Sequence, residues 1–292
     1  MQLLNGIQVA KKIKEDLAIE VNALTEKGKR PPHLAAILVG LDGASQTYVN
    51  SKESDCKKVG FDSTVYRYPD TITENELLAH IDAINNNEGI DGLIVQLPLP
   101  KHISEPKVTQ KINPAKDVDG FHSHSLGNLI KGADTFITAT PYGILLMLEL
   151  YKIETEGKHC VIVGRSNIVG RPMSIIMSQD RDYGNCTVTL CHSHSTNLEH
   201  YLKDADIVIA ALGKPGFIKA SMLKEGVIVI DVGITRVEDI LNPRGYVLKG
   251  DVDFEHVKDI ASAITPVPGG VGPLTRVGLL KNTFKAYLSL NK

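Results

Sequence analysis

In the stretch TYVNSKESD, Tyr48 and Lys52 stand four residues apart, a spacing that puts a phenol and an amine on one face of a helix. A lysine beside a phenol can position and transfer protons if partial burial lowers its pKa. Taken alone, the same spacing more commonly means an exposed surface pair. Gln96 lies in GLIVQLPLP (92–100), an apolar run whose carboxyl end is where sheets gather ligands, and Pro98 and Pro100 stop the strand. KDVDGF places Asp119 in a turn that Gly120 makes, so this acid is either a site residue or the turn's own former. TPVPGGVGP (265–273) is a rigid loop ahead of the last helix, of a kind that lines sites and also simply connects elements.

A second group of candidates lies in GRSNIVGRP (164–172), a loop between a buried strand and an amphipathic helix. A dinucleotide-binding fold places its pyrophosphate there, on the free N–H groups of the helix start. Gly164 permits the tight turn and Gly170 the close packing of helix on strand. The middle glycine of G-x-G-x-x-G is missing, so the motif alone leaves a plain turn equally open. The next strand ends Cys191-His192-Ser193, with no acid to hold a ribose hydroxyl. Ser193 can donate to a 2′-phosphate and Arg165 can pair with one, which points to NADP rather than NAD.

These residues need elements to hold them. Apolar runs alternate with amphipathic stretches along the chain, the pattern of parallel sheet covered by helices. Residues 6–27 are spaced as a helix, with Ile7, Ala10, Ile13, Leu17 and Val21 on one face. Strands are expected at 34–40, 63–68 and 92–100, helices at about 44–59 and 74–86, and a loop from 120 to about 139. A long helix over 140–153 is followed by a second series: strand 159–164, helix 168–179, strand 187–191, helix 196–203, and strands 207–212 and 227–233. The expected fold is α/β in two domains with a cleft between them. Residues 1–140 form a catalytic α/β domain and 141–272 a Rossmann-type NADP-binding domain, with the final helix, 273–292, packing back onto the first.

Composition bounds the rest. The chain has 292 residues, 42% hydrophobic and 23% charged, with a net charge of −2, which offers no electrostatic footprint for nucleic acid or an anionic membrane. No run of about 18 apolar residues is present for a membrane span. Charges come too early at the amino terminus for a signal-peptide core, and the four cysteines form no Cys-x-x-Cys pair, so a cytoplasmic protein with buried thiols is expected. His122/His124 and His192/His194 are pairs without an evident third ligand, and no metal is expected.

The strings YVNSK, GLIVQLPLP, KDVDGF, TPYG, VIVGRSNIVGRP, TVTLCHS, VIVIDVGI, GDV and ITPVPGGVGP occur in this order across nearly the whole chain. Together they resemble the bifunctional methylenetetrahydrofolate dehydrogenase/methenyltetrahydrofolate cyclohydrolases of one-carbon metabolism. The resemblance implies two reactions: oxidation of 5,10-methylenetetrahydrofolate with NADP, then hydrolysis of the methenyl product to 10-formyltetrahydrofolate, in one site between the domains. It implies that Lys52 is the acid/base of the hydrolytic step, that Tyr48 packs against the folate, that Gln96 hydrogen-bonds Lys52, and that Asp119 binds the pterin's donor edge. Pro268, Gly269 and Gly270 would border the folate. Gly164, Arg165, Ser166 and Ser193 would hold the phosphates of NADP, and Ile234 would contact its nicotinamide end. Tetrahydrofolate derivatives are the implied substrates, and a homodimer the implied assembly. The run SQDRDYGNC (178–186) looks longer than the family's connection there.

Two other readings stand beside this one. Another NADP oxidoreductase could use Lys52 on a carbonyl or imine, but it would not need Gln96 and Asp119 in these strings. A dinucleotide-sensing protein that is not an enzyme would not need Lys52. Short-chain dehydrogenases share the Tyr-x-x-x-Lys spacing, yet their glycine loop precedes the pair and here it follows, which excludes them. No G-x-x-x-x-G-K-[ST] loop is present, so no ATP-dependent activity is expected.

Overall fold

The computed structural model describes residues 1–243 and 245–292, with the backbone alone at Ala44. In chain order the elements are β1 (Gln2–Leu3), α1 (Gly6–Thr25), β2 (His33–Val39), α2 (Gly43–Lys58), β3 (Asp62–Tyr68), α3 (Glu74–Asn85), β4 (Gly92–Val95), α4 (Glu105–Lys111), α5 (Ser123–Ile130) and α6 (Ala139–Leu150). They continue with β5 (His159–Val163), α7 (Gly170–Ser178), β6 (Thr187–Cys191), α8 (Leu198–Lys203), β7 (Ile207–Ala210), β8 (Ile228–Asp231), β9 (Thr235–Glu238), β10 (Tyr246–Lys249), α9 (Phe254–Val257), β11 (Ala263–Ile264) and α10 (Val271–Leu290). The chain forms two compact units. Lys11–Ala139 joins Arg276–Lys292 in one, and Met1–Ala10 joins Thr140–Thr275 in the other. The boundaries fall inside α1, α6 and α10.

The unit that carries Lys52 is built on a parallel sheet in the order β3-β2-β4. Its central strand reads HLAAILV, and from Leu34 to Val39 every residue is buried, as expected where helices cover both faces of a parallel sheet. Ile37, Leu77, Ile81, Ile90 and Leu93 form the centre of its core. α3 starts on a capping box in which Thr73 and Glu76 satisfy each other's backbone N–H groups. α2 is tied down by Asp55, a buried carboxylate that meets Lys14 at 2.9 Å, Lys58 at 3.3 Å and Arg276 at 2.6 Å. Burial pushes the Asp55 carboxyl up, but Lys14 and Arg276 outweigh it and hold the group below the usual range.

Asp91 is fully buried ahead of β4, held by both terminal nitrogens of Arg30 (2.7 and 2.8 Å), by the His33 N–H and by the Asn291 amide. Replacing Arg30 with Met is expected to lower stability by about 2 kcal/mol. That is less than a wholly buried pair would lose, because the arginine is one-third exposed. Urea denaturation of the two proteins measures it.

The unit that carries Gly164 holds a six-stranded sheet, order β1-β11-β8-β7-β5-β6 among the described residues, every pairing parallel. β9 and β10 form a separate antiparallel hairpin. The fold is thus α/β with parallel sheets in both units.

Several elements depart from the sequence expectation. α5 occupies part of the stretch read as a loop. It is only eight residues long with Gly127 inside, so it carries little helical signal, and it is held by Ser125 and Leu129, both buried. The run 92–100 is strand only to Val95, after which the Leu97–Pro98 peptide is cis. The run 207–212 ends at Ala210, because the Leu212 N–H turns to the Asp251 carboxylate. Ile7 was expected on the buried face of α1 but is 59% exposed, whereas Ala10, Leu17 and Val21 are buried.

Candidate functional site

α2 presents Tyr48 and Lys52 one turn apart, and Tyr48 is 39% exposed although its neighbour Val49 is fully buried. Lys52 Nζ donates to Gln96 Oε1 at 3.2 Å. The other end of that amide donates to the Leu97 carbonyl at 2.7 Å, which orients the oxygen toward the lysine. Gln96 itself is carried at the carboxyl end of β4, its N–H still bonded to Ile37 of β2. The structure therefore brings Lys52 and Gln96 together at the carboxyl edge of the sheet.

Asp119 lies near enough that the Lys52 charge acts on it. Burial raises the Asp119 carboxyl above the ordinary range, and Lys52 pulls it the other way. The turn-forming role open to Asp119 is taken instead by Asp117, which the sequence reading passed over. Asp117 accepts from the N–H groups of Phe121 (3.2 Å) and His122 (2.9 Å) and from the Ser125 hydroxyl (2.7 Å). Burial pushes its carboxyl to about 6. Asn282 braces the same turn through the carbonyls of Val118 and Ile137. Among the described residues, the Asp119 carboxylate makes no hydrogen bond and no ion pair. An acid held in place yet left unpaired can receive the donor edge of a ligand.

In the other unit, Gly164 follows β5 with φ +127°, and a Cβ there would stand 2.1 Å from the Ala211 carbonyl oxygen. A Cβ on Gly170, the first residue of α7, would stand 1.9 Å from the Gly164 carbonyl oxygen. Both glycines are required by close backbone approach. Between them Ser166 Oγ accepts from the Val169 N–H at 3.1 Å, and Arg165 and Ser166 are exposed. Ser193 is exposed just beyond β6. β5 and β6 pair in parallel with Val163 opposite Cys191, so Arg165 and Ser193 both follow strands that end at the same edge, and partial burial, the Arg165 charge and His194 hold the His192 ring below its ordinary range. Gly164, Arg165, Ser166 and Ser193 thus share one edge of the sheet, and no acid ends β6. This cradle fits a dinucleotide phosphate: glycines that a Cβ would fill, an arginine, and exposed hydroxyls.

Ile234 follows β8 and is 47% exposed. Pro268, Gly269 and Gly270 precede α10; the Val267–Pro268 peptide is cis, and the Gly269 carbonyl accepts from the Ile7 N–H at 3.2 Å. The two histidine pairs share one local contact, and the first pair also reaches the Gln110 carbonyl through His122 Nε2 and the Asn128 amide through His124 Nε2. The first ring's Nδ1 accepts the N–H two residues on, at 2.9 Å in His122–His124 and 3.2 Å in His192–His194. Among the described residues no three His, Cys, Asp or Glu side chains gather as a metal site would need. Sequence reasoning also passed over Asp231 and Asp251, buried acids at the edge where the dinucleotide cradle lies. The available signal was VIVID, an apolar strand that ends in an acid.

Residues 4–119 match the family model for the tetrahydrofolate dehydrogenase/cyclohydrolase catalytic domain, and residues 138–291 match the model for the NAD(P)-binding domain of the same family. A relative from Flavobacterium johnsoniae, called bifunctional protein FolD, is 58% identical over 286 residues, covering 98% of this chain and 97% of its own. A crystal structure of the bifunctional FolD methylenetetrahydrofolate dehydrogenase/cyclohydrolase from Campylobacter jejuni superposes with a TM-score of 0.93 at 45% identity, covering 99% of each chain. The Trypanosoma brucei enzyme, solved with NADP cofactor and an inhibitor, superposes with a TM-score of 0.93 at 34% identity over 99% of this chain and 98% of its own.

Proposed function

The chain belongs to the tetrahydrofolate dehydrogenase/cyclohydrolase family, and from that premise we infer that it oxidises 5,10-methylenetetrahydrofolate with NADP and hydrolyses the methenyl product to 10-formyltetrahydrofolate. The observation that carries the residue assignment is the 3.2 Å contact of Lys52 with Gln96, with Asp119 close by.

In the hydrolytic step a water oxygen bonds to the methenyl carbon, and the Lys52 amine takes a proton from that water. The ring C–N bond then breaks: the Lys52 nitrogen returns its proton to the departing ring nitrogen, and the remaining hydroxyl proton is released to solvent as the carbonyl of the formyl group forms on the other nitrogen. Gln96 holds Lys52 Nζ in line for both transfers, because its amide is fixed at the far end by Leu97. Asp119 accepts from the pterin's donor edge, and a bound donor favours the carboxylate that burial disfavours. The exposed Tyr48 ring offers a flat surface one turn from the amine. Pro268, Gly269 and Gly270 border the folate in this reading.

NADP supplies the hydride acceptor. Gly164, Ser166 and the start of α7 hold its pyrophosphate, Arg165 and Ser193 its 2′-phosphate, and Ile234 packs against the nicotinamide end. The missing acid at the end of β6 supports NADP over NAD, since a carboxylate there would repel the extra phosphate.

A paired absorbance assay tests the reading, with 5,10-methylenetetrahydrofolate and either NADP⁺ or NAD⁺, following reduced nicotinamide and methenyl signals separately. Reduction with NADP⁺ and enzyme-accelerated loss of methenyl absorbance is the expected result; no reduction with either dinucleotide would defeat it. Arg165→Ala is expected to raise KM for NADP⁺ by about tenfold or more while changing that for NAD⁺ little, because a charge-assisted phosphate bond contributes about 1.5–3 kcal/mol.

Homodimeric assembly follows from the resemblance, and sedimentation equilibrium would test it. Among the described residues no helix is long and apolar enough to cross a membrane, and a cytoplasmic location is part of the same reading.

A further inference from the structure

The loops after β7 and β8 and the segment after β10 meet on two buried carboxylates. Asp231, the last residue of β8, accepts from the N–H groups of Gly233 and Asp251 on Oδ1 and of Val252 on Oδ2, each at 2.9 Å. Asp251, fully buried, accepts from Leu212 and Gly213 on Oδ2 (2.5 and 2.9 Å) and from Lys214 on Oδ1 (2.7 Å). Six backbone N–H groups are thus bonded to two acids, and among the described residues neither acid has a cationic partner. Two adjoining buried carboxylates without a cation are a costly way to gain stability alone.

The segments they hold lead to the dinucleotide cradle. The 212–214 loop follows Ala211, whose carbonyl oxygen would lie 2.1 Å from a Cβ on Gly164. Gly233 immediately precedes Ile234. A Cβ on Gly250 would meet Asp231 Oδ2 at 2.0 Å and the Val267 side chain at 2.7 Å. The Asp231 N–H donates to Thr265 Oγ1 at 2.7 Å, at the start of the TPVPGG loop. One hub therefore touches the neighbours of the glycine turn, of Ile234 and of the PVPGG loop.

We propose that Asp231 and Asp251 are positioning residues for the dinucleotide: a two-carboxylate relay that presets these loops before NADP binds, without itself touching the ligand. Burial, with the neighbouring Asp251 charge adding to it, raises the Asp231 carboxyl to about 6, and the three donated N–H groups oppose the rise. The proposal rests on the reading of this unit as the NADP-binding one.

Asp251→Asn keeps the shape but turns one acceptor oxygen into an NH₂ that faces backbone donors. In the full chain, the Kd of NADP⁺ by calorimetry and its KM are expected to rise at least about tenfold. Turnover at saturating NADP⁺ should stay within about twofold, the pattern of lost ground-state positioning. A purely stabilising role lowers the melting temperature but leaves the Kd of the folded molecules unchanged, and that result overturns the proposal. If the variant does not fold, hydrogen exchange on the unaltered protein decides. The amides of Leu212, Gly213, Lys214 and Gly233 should exchange slowly before NADP⁺ is added. Rapid exchange that slows only on adding NADP⁺ would mean that the cofactor orders the loops, and would overturn it. Wild-type protein that binds neither NADP⁺ nor NAD⁺ defeats this proposal together with the functional reading. Equal Kd values for wild type and variant defeat this proposal alone.

Discussion

Lys52→Met is expected to lower cyclohydrolase turnover by about a thousandfold, the range for removing a positioned acid/base group. Methionine keeps most of the apolar stem and removes the amine, so packing against α2's surroundings is little changed. Among the described residues Lys52 makes one side-chain hydrogen bond, to Gln96, and the anchor of this helix is Asp55, three residues on. The melting temperature should therefore stay close to that of wild type, and NADP⁺ binding, assigned to the other unit, should be unaffected. Methenyltetrahydrofolate hydrolysis followed by absorbance measures the effect. Full turnover in the variant would remove Lys52 from the mechanism while leaving family membership untouched.

Gly170→Ala is expected to weaken NADP⁺ binding by about a hundredfold. The added Cβ would lie 1.9 Å from the Gly164 carbonyl oxygen and 3.1 Å from the Arg165 Cα. Both are backbone atoms, so no flexible side chain can yield, and the turn must move away from the start of α7. An overpacked contact of this kind costs about 2–3 kcal/mol, which as lost affinity is about a hundredfold. The displaced atoms are those assigned to the pyrophosphate, so dehydrogenase activity should fall while hydrolysis of added methenyltetrahydrofolate persists. Unchanged affinity by calorimetry would show that the phosphate does not sit on this turn.

The central strands of both sheets were legible because each is a short apolar run, whereas β1 and β11, two residues each, were too short to read as strands. HLAAILV and HCVIV can only be buried, and their period matches parallel sheet covered on both faces. α5 was not legible. SHSLGNLI has no strong cap signal, and what holds it is Ser125 on the buried Asp117, a bond made across a turn. The hairpin of β9 and β10 was missed for a related reason: TRVE and YVLK are half-exposed and mix charge with apolar residues, so neither reads as core.

The candidate site divides the same way. Residue types and order along the chain determined which groups can do chemistry: a lysine one turn after a tyrosine, an amide at a strand's end, glycines bracketing a strand-to-helix turn, and no acid after β6. Local spacing alone carries that information, since a helix or a strand fixes which side chains share a face. Only the tertiary structure decided that Asp117 forms the turn and leaves Asp119 unpaired, that Leu97 aims the Gln96 amide at Lys52, and that Asp231 and Asp251 gather six N–H groups from distant segments. Those roles depend on which backbone donors and charges surround a polar group: the donors to Asp251 and the partner of Lys52 come from tens of residues away, and the donors to Asp117 from a turn whose path its neighbours fix.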